Sequence, residues 1–122
     1  MATTSQTWRY FGASVRGPGH IRDGLPNQDA WRGSALKGAD VIVVCDGLGS
    51  KPHSDHGAKQ ACRAVVSSVV QWCASPGAPL KALLRLIHAT WSLRVHPHEE
   101  SDCATTCLLA VAGSDGQGNR RG

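Results

Sequence analysis

The chain has 122 residues, 41% hydrophobic and 18% charged, with a formal net charge of +4. That is the length of one domain, with too much apolar content for a disordered chain. No apolar run approaches the roughly 20 residues of a membrane-spanning helix, and Met1 to Thr7 begins no apolar leader.

Trp8 to Val15 alternates weakly and predicts a first strand. Gly17 to Pro26 is rich in Gly and Pro and predicts a loop. Asp29 to Leu36 predicts a short second strand. Asp40 to Cys45 is the clearest strand, because it is β-branched and apolar after Asp40 and is closed by Gly47 and Gly49. A continuous apolar run of this kind suits burial on both faces. Ser54 then offers an N-cap, with Asp55 in the first turn. Ala58, Ala61, Cys62, Val65, Val69, Trp72 and Cys73 follow at helical spacing, until Ser75, Pro76 and Gly77 stop the helix. Pro79 opens a second helix whose apolar face is Leu80, Leu83, Leu84, Ile87 and Trp91. Cys103 to Ala112 predicts a last strand, and Gly113 to Gly122 is a polar, Gly-rich tail.

The order is therefore β-β-β-α-α-β, an α+β arrangement of two amphipathic helices on a sheet. Residues 8–112 form the expected domain, and residues 113–122 the tail. The last strand is followed by nothing that would cover its free side, which complete domains usually avoid. The expectation is that the chain is a fragment of a larger domain.

Charge and cysteine content narrow the setting. Residues 1 to 37 carry five basic and two acidic groups, and the middle of the chain is nearly neutral. A basic N-terminal lobe suits phosphate on a protein or a nucleotide. Without a dense Lys/Arg run, nucleic acid is a disfavoured partner. The five cysteines are odd in number and form no CxxC pair, so reduced thiols in the cytoplasm are expected.

The chemistry concentrates in Val41-Ile-Val-Val-Cys-Asp46-Gly47-Leu48-Gly49-Ser50. A strand delivers Asp46 at its end, and glycine lets a backbone carbonyl approach an ion. Asp46 has the placement of a hard-metal ligand; an Asp-Gly turn between strand and helix would read the same way. Asp29 starts the preceding strand, behind a loop that holds His20 and Arg22, and could converge on Asp46. A dinucleotide fingerprint fails at Pro52, and no P-loop string exists. His53-x-x-His56, His96-x-His98 and Cys103-x-x-x-Cys107 have zinc-like spacings but lack paired knuckles. Cys103 and Cys107 are expected on one face of the last strand. Cys45, inside an apolar strand, is expected to be inert.

Taken together, several strings resemble one family. They are Gly12-Ala-Ser-Val, His20, Pro26-Asn-Gln-Asp29-Ala, Val43-Val-Cys-Asp46-Gly-Leu-Gly-Ser50, Ser54 with Gly57-Ala58, and Ala104-Thr-Thr-Cys-Leu-Leu109. Their order and spacing are similar to metal-dependent serine/threonine protein phosphatases of type 2C, bacterial branch, over most of residues 12 to 112. The resemblance implies the N-terminal part of an α-β-β-α sandwich with two Mn²⁺ or Mg²⁺ ions at one end. It implies that Asp46 bridges both metals, that Gly47 gives its carbonyl to one, and that Asp29 holds the site from the neighbouring strand. It implies hydrolysis of phosphoserine and phosphothreonine in a protein substrate by metal-activated water. Where many members carry a phosphate-binding arginine this chain has Gly24, so Arg22, Arg16 or His20 would substitute. The further metal-binding aspartates of the family have no counterpart after Asp102, where the only acid is Asp115. Weak Mn²⁺ binding and little phosphatase activity are expected of this chain alone. The alternative is a non-catalytic binding or regulatory module derived from such a domain.

Overall fold

The structure is a computed structural model, and it describes residues 12–14, 18–22, 24, 27–114 and 120–121. Its elements in chain order are α1 (Pro18–Arg22), β1 (Asp29–Leu36), β2 (Ala39–Asp46), α2 (Ser54–Cys73), α3 (Leu80–Val95), a 3₁₀ turn (Glu100–Cys103), β3 (Leu108–Ser114) and β4 (Arg120–Arg121). The strands form one antiparallel sheet in the order β1-β2-β3-β4. The helices α2 and α3 lie on it, giving the α+β class expected from the sequence.

β1 and β2 are joined by Lys37 and Gly38, with Leu36 paired to Ala39. Gly38 has φ 88°, which a side chain would oppose. This two-residue reversal fixes the register of the whole hairpin.

The core lies between the sheet and α2. Val41, Val43 and Cys45 of β2 face it, each no more than 1% exposed. Ala58, Ala61, Cys62, Val65 and Val69 of α2 meet them, together with Leu83 of α3. Small residues along α2 let helix and sheet approach closely, and each buried valine contributes about 1.5–3 kcal/mol of apolar transfer. The indole N–H of Trp91 donates to the Gly57 carbonyl at 3.0 Å, and that of Trp72 to the Ala78 carbonyl at 3.0 Å. Both tryptophans therefore anchor helices, with their polar atoms satisfied.

Several expectations change. β2 is buried on one face only: Val44 is 49% exposed and Asp46 is exposed. Both helices cover the same face, so the alternate residues of β2 look outward. Gly12 packs over part of that outer face, where a Cβ would stand 2.9 Å from the Trp31 ring. Residues 12–14 belong to no strand, contrary to the expectation for Trp8 to Val15, and the rest of that segment lies outside the described residues. The expected loop after Gly17 contains the short helix α1. The N-cap of α2 is His53, and Ser54 is its first helical residue, buried with an unpartnered hydroxyl. On α3, Leu83 is buried but Leu80 and Leu84 are more than half exposed, because α3 meets α2 along a narrow stripe. The tail expected to be unstructured contributes β4, paired to Gly113 and Ser114.

β3 starts later than Cys103. Cys103 lies in the 3₁₀ turn, buried under α2, and Cys107 precedes the strand and is exposed. The two do not share a strand face. Backbone groups between them are engaged elsewhere: Leu48 N–H donates to the Ala104 carbonyl, and Thr106 N–H to the Asp46 carbonyl.

Candidate functional site

Asp29 opens β1 and Asp46 ends β2, and the hairpin register sets them directly opposite each other. Two carboxylates thus stand side by side at one end of the sheet. Partial burial, the hydrogen bond shared with the Asp46 carboxyl and that group's charge hold Asp29 above the usual carboxylate range. The charge of His20 pulls it back down.

The backbone around the pair is tied from three directions. The Asp29 N–H donates to Asn27 Oδ1 at 3.1 Å, and Asn27 Nδ2 donates to Ser14 Oγ at 2.6 Å. The Asp46 N–H donates to Thr106 Oγ1 at 3.2 Å, and the Thr106 N–H donates to the Asp46 carbonyl at 2.8 Å. The Gly47 N–H donates to the Gln28 carbonyl at 3.0 Å. Gly47 is required by space: a Cβ there would lie 2.5 Å from the Gln28 carbonyl oxygen and 2.7 Å from that of Ser54. These ties hold the end of β2 rigidly, which is what a preorganised ligand site needs.

The carboxylate pair lines an open pocket of about 300 Å³, with Ser14, Trp31 and Val44 among its walls. A larger opening of about 680 Å³ lies at the other end of the sheet, against Trp72, Leu83 and Val111. Its lining is mostly apolar and carries no carboxylate.

Of the residues singled out from the sequence, the structure brings Asp29, Asp46 and Gly47 together, with His20 close enough to act on Asp29. Arg22 is exposed at the C-terminal end of α1. Arg16 lies outside the described residues. Two residues of the site carried no role in the sequence reading. Thr106 clamps the Asp46 backbone, and its only sequence signal is the Thr105-Thr106 pair before the last strand. Gln28 is buried, with Oε1 unpartnered, 3.4 Å from where a Cβ on Gly49 would stand.

The zinc spacings do not close into a site. The rings of His53 and His98 stack at 4.1 Å and that of His56 meets His98 at 5.4 Å, beside the start of α2. Among the described residues no three His, Cys, Asp or Glu side chains converge as metal ligands. Cys45 is fully buried, and hydrogen bonding with Cys107 and Cys62, then burial, push its thiol far up. Buried and held as the thiol, it is no entry point for a reagent from solvent.

The donor set is two carboxylates and the Gly47 carbonyl, all hard oxygens. It fits one hard divalent cation that keeps several waters. It does not make a cage for two.

An antiparallel sheet with paired carboxylates at its strand ends, backed by helices, presents a site rich in hard oxygens. The family model of protein phosphatase 2C matches residues 16–118 of this chain. The chain belongs to the protein phosphatase 2C family, whose members are generally metal-dependent. Comparison with curated proteins and with solved structures returned no match. Among the described residues, no helix is long and apolar enough to cross a membrane.

Proposed function

We propose that this chain carries part of a metal-dependent phosphoserine/phosphothreonine phosphatase site, with Asp46, Asp29 and the Gly47 carbonyl as its metal ligands. The observation that carries this reading is the register that sets Asp29 against Asp46 at adjacent strand ends. Family membership supports phosphate ester hydrolysis in general.

Mn²⁺ or Mg²⁺ is the proposed cofactor, and when bound it supplies an acidified water and offsets phosphate charge. The protein's own part is to hold and orient. Asp46 is presented by a strand end that Thr106 clamps. The absent side chain of Gly47 leaves room for the Gln28 and Ser54 carbonyls, and its own carbonyl is the proposed third ligand. Asp29 raises the negative potential beside Asp46, and a divalent cation relieves that repulsion. His20 and Arg22 on α1, with Arg16, are the proposed phosphate contacts. A guanidinium suits a phosphate bidentately. The proposed partner is a phosphorylated protein, not nucleic acid, and the proposed setting is the cytoplasm, where free cysteines are the resting state.

A second reading has its own support. Two carboxylates are a poor cage for two divalent cations, and among the described residues no third His, Cys, Asp or Glu side chain joins them. The chain by itself is then a binding module with weak metal affinity and little turnover.

Calorimetric titration with Mn²⁺ and Mg²⁺, alongside phosphopeptide turnover, tests both. Weak Mn²⁺ binding that disappears in Asp46→Asn supports the ligand assignment. Equal binding by wild type and Asp46→Asn removes it. Micromolar Mn²⁺ binding with sustained phosphopeptide hydrolysis rules out the module reading. Metal-independent phosphopeptide binding without hydrolysis favours it.

A further inference from the structure

Three of the five cysteines meet at the end of the sheet, next to the carboxylate pair but on the opposite face. Cys45 Sγ lies 3.6 Å from Cys62 Sγ. Cys107 is close enough to act on the Cys45 thiol. The backbone explains why. Val44 pairs with Leu108, and Gly47 bridges to Thr105, so the same antiparallel register sets Cys45 opposite Cys107.

The rung is of the kind that brings side chains closest. The Thr106 N–H donates to the Asp46 carbonyl and the Asp46 N–H turns to the Thr106 hydroxyl, so 46 with 106 occupies a rung of the hydrogen-bonded type and the next, 45 with 107, a rung of the other type. In such rungs the Cα atoms stand about 4.5 Å apart. That separation falls at the lower end of the range disulfides span, about 4.4–6.8 Å.

Access divides the roles. Cys107 is exposed and lines an open apolar cleft of about 190 Å³ beside Ile87 and Trp91. Cys45 and Cys62 are buried. An oxidant from solvent therefore reaches Cys107 first, and Cys45 is the thiol waiting behind it.

We propose that Cys107 and Cys45 form a hydroperoxide-responsive dithiol that closes to a cross-strand disulfide. In the first step the Cys107 sulfur attacks the terminal oxygen of a hydroperoxide. The O–O bond breaks, an alcohol or water leaves, and Cys107 becomes a sulfenic acid. In the second step the Cys45 sulfur attacks the Cys107 sulfur. The S–O bond breaks, and the hydroxyl leaves as water with the Cys45 proton. Two thiols are oxidised by two electrons and one hydroperoxide is reduced. A dithiol reductant reverses the reaction by exchange. The product fastens the strand ends that flank Asp46. The inference does not depend on the metal reading, and its readout is covalent.

The test is peptide mapping of the full chain after limited hydrogen peroxide, without reduction, with free thiols alkylated. The expected product is a peptide containing Cys45 linked to the one containing Cys107, two hydrogens lighter than the sum and cleaved by dithiothreitol. Fragment ions must place the link at Cys107 and not at Cys103, which share a tryptic peptide. The link should vanish in Cys107→Ser and persist in Cys73→Ser. Full alkylation of Cys45 and Cys107 after peroxide overturns the proposal. So does oxidation of Cys107 to the sulfinic acid with Cys45 still free. A Cys45–Cys62 link that forms equally fast in Cys107→Ser overturns the role of Cys107 as the entry thiol. The wild-type map decides the proposal even where a variant fails to fold.

Discussion

Gly57→Ala sets two physical expectations against each other. Gly57 sits in the first turns of α2, where helix propensity alone favours alanine by about 0.8–1 kcal/mol. The tertiary contact has the opposite sign. An added Cβ would overlap the Cys103 carbonyl oxygen, and would lie 2.7 Å from its carbonyl carbon and 3.0 Å from its Cβ. Unstrained carbon contacts lie at roughly 3.5–4.0 Å, so the 3₁₀ turn must move away by about 1 Å. The obstacle is backbone, which cannot swing aside as a side chain would. Cys103 is fully buried, and the Gly57 carbonyl also accepts the Trp91 indole bond. Overpacking costs typically about 1–3 kcal/mol, and the upper end applies here. At this chain length 1 kcal/mol moves Tm by roughly 3–6 °C. Net of the propensity gain about 2 kcal/mol remains, so the expected loss is roughly 6–12 °C in thermal unfolding followed by far-UV circular dichroism. An unchanged or raised Tm would refute the close approach of α2 to the 3₁₀ turn.

Further predictions concern the site and the core. Gly47→Ala should destabilise by about 2 kcal/mol through overpacking against the Gln28 and Ser54 carbonyls; a urea midpoint equal to wild type would contradict that contact. The Asp29 carboxyl is raised in the folded state, so its stabilising share is complete below the unfolded value of about 3.9 and is lost as pH rises through the folded value. Without metal, Asp29→Asn should therefore gain on wild type as pH rises over that window. Parallel stability profiles for the two would count against the carboxylate contact. Val65→Ala removes a fully buried methyl pair and should cost about 2–3 kcal/mol, whereas the half-exposed Val70→Ala should cost under about 0.5 kcal/mol; similar losses at both would contradict the burial of one face of α2.

Much of the site was legible in the chain. Asp46 after an apolar run and before two glycines reads as a strand-end carboxylate. The resemblance of ordered motifs led to the family that the comparison then showed. Thr106 and Gln28 were not legible as site residues, because each acts through a backbone or buried contact across the fold. Arg16 and Arg22 follow from charge and proximity in sequence alone, which does not determine where a cation points.

By itself, the sequence determined which segments are regular and which faces are apolar. Local periodicity carries that information, so β2 and α2 appear with nearly their observed bounds. The tertiary structure alone decided what lies opposite what. Register from the Lys37-Gly38 reversal put Asp29 against Asp46, and its continuation through Gly47 put Cys45 against Cys107. The sheet also set alternate residues of β2 on opposite faces, so Val44 and Asp46 are exposed despite an apolar run that read as buried on both sides. The distinction is physical: periodicity is written within one segment, whereas contact depends on the pairing of segments distant in the chain.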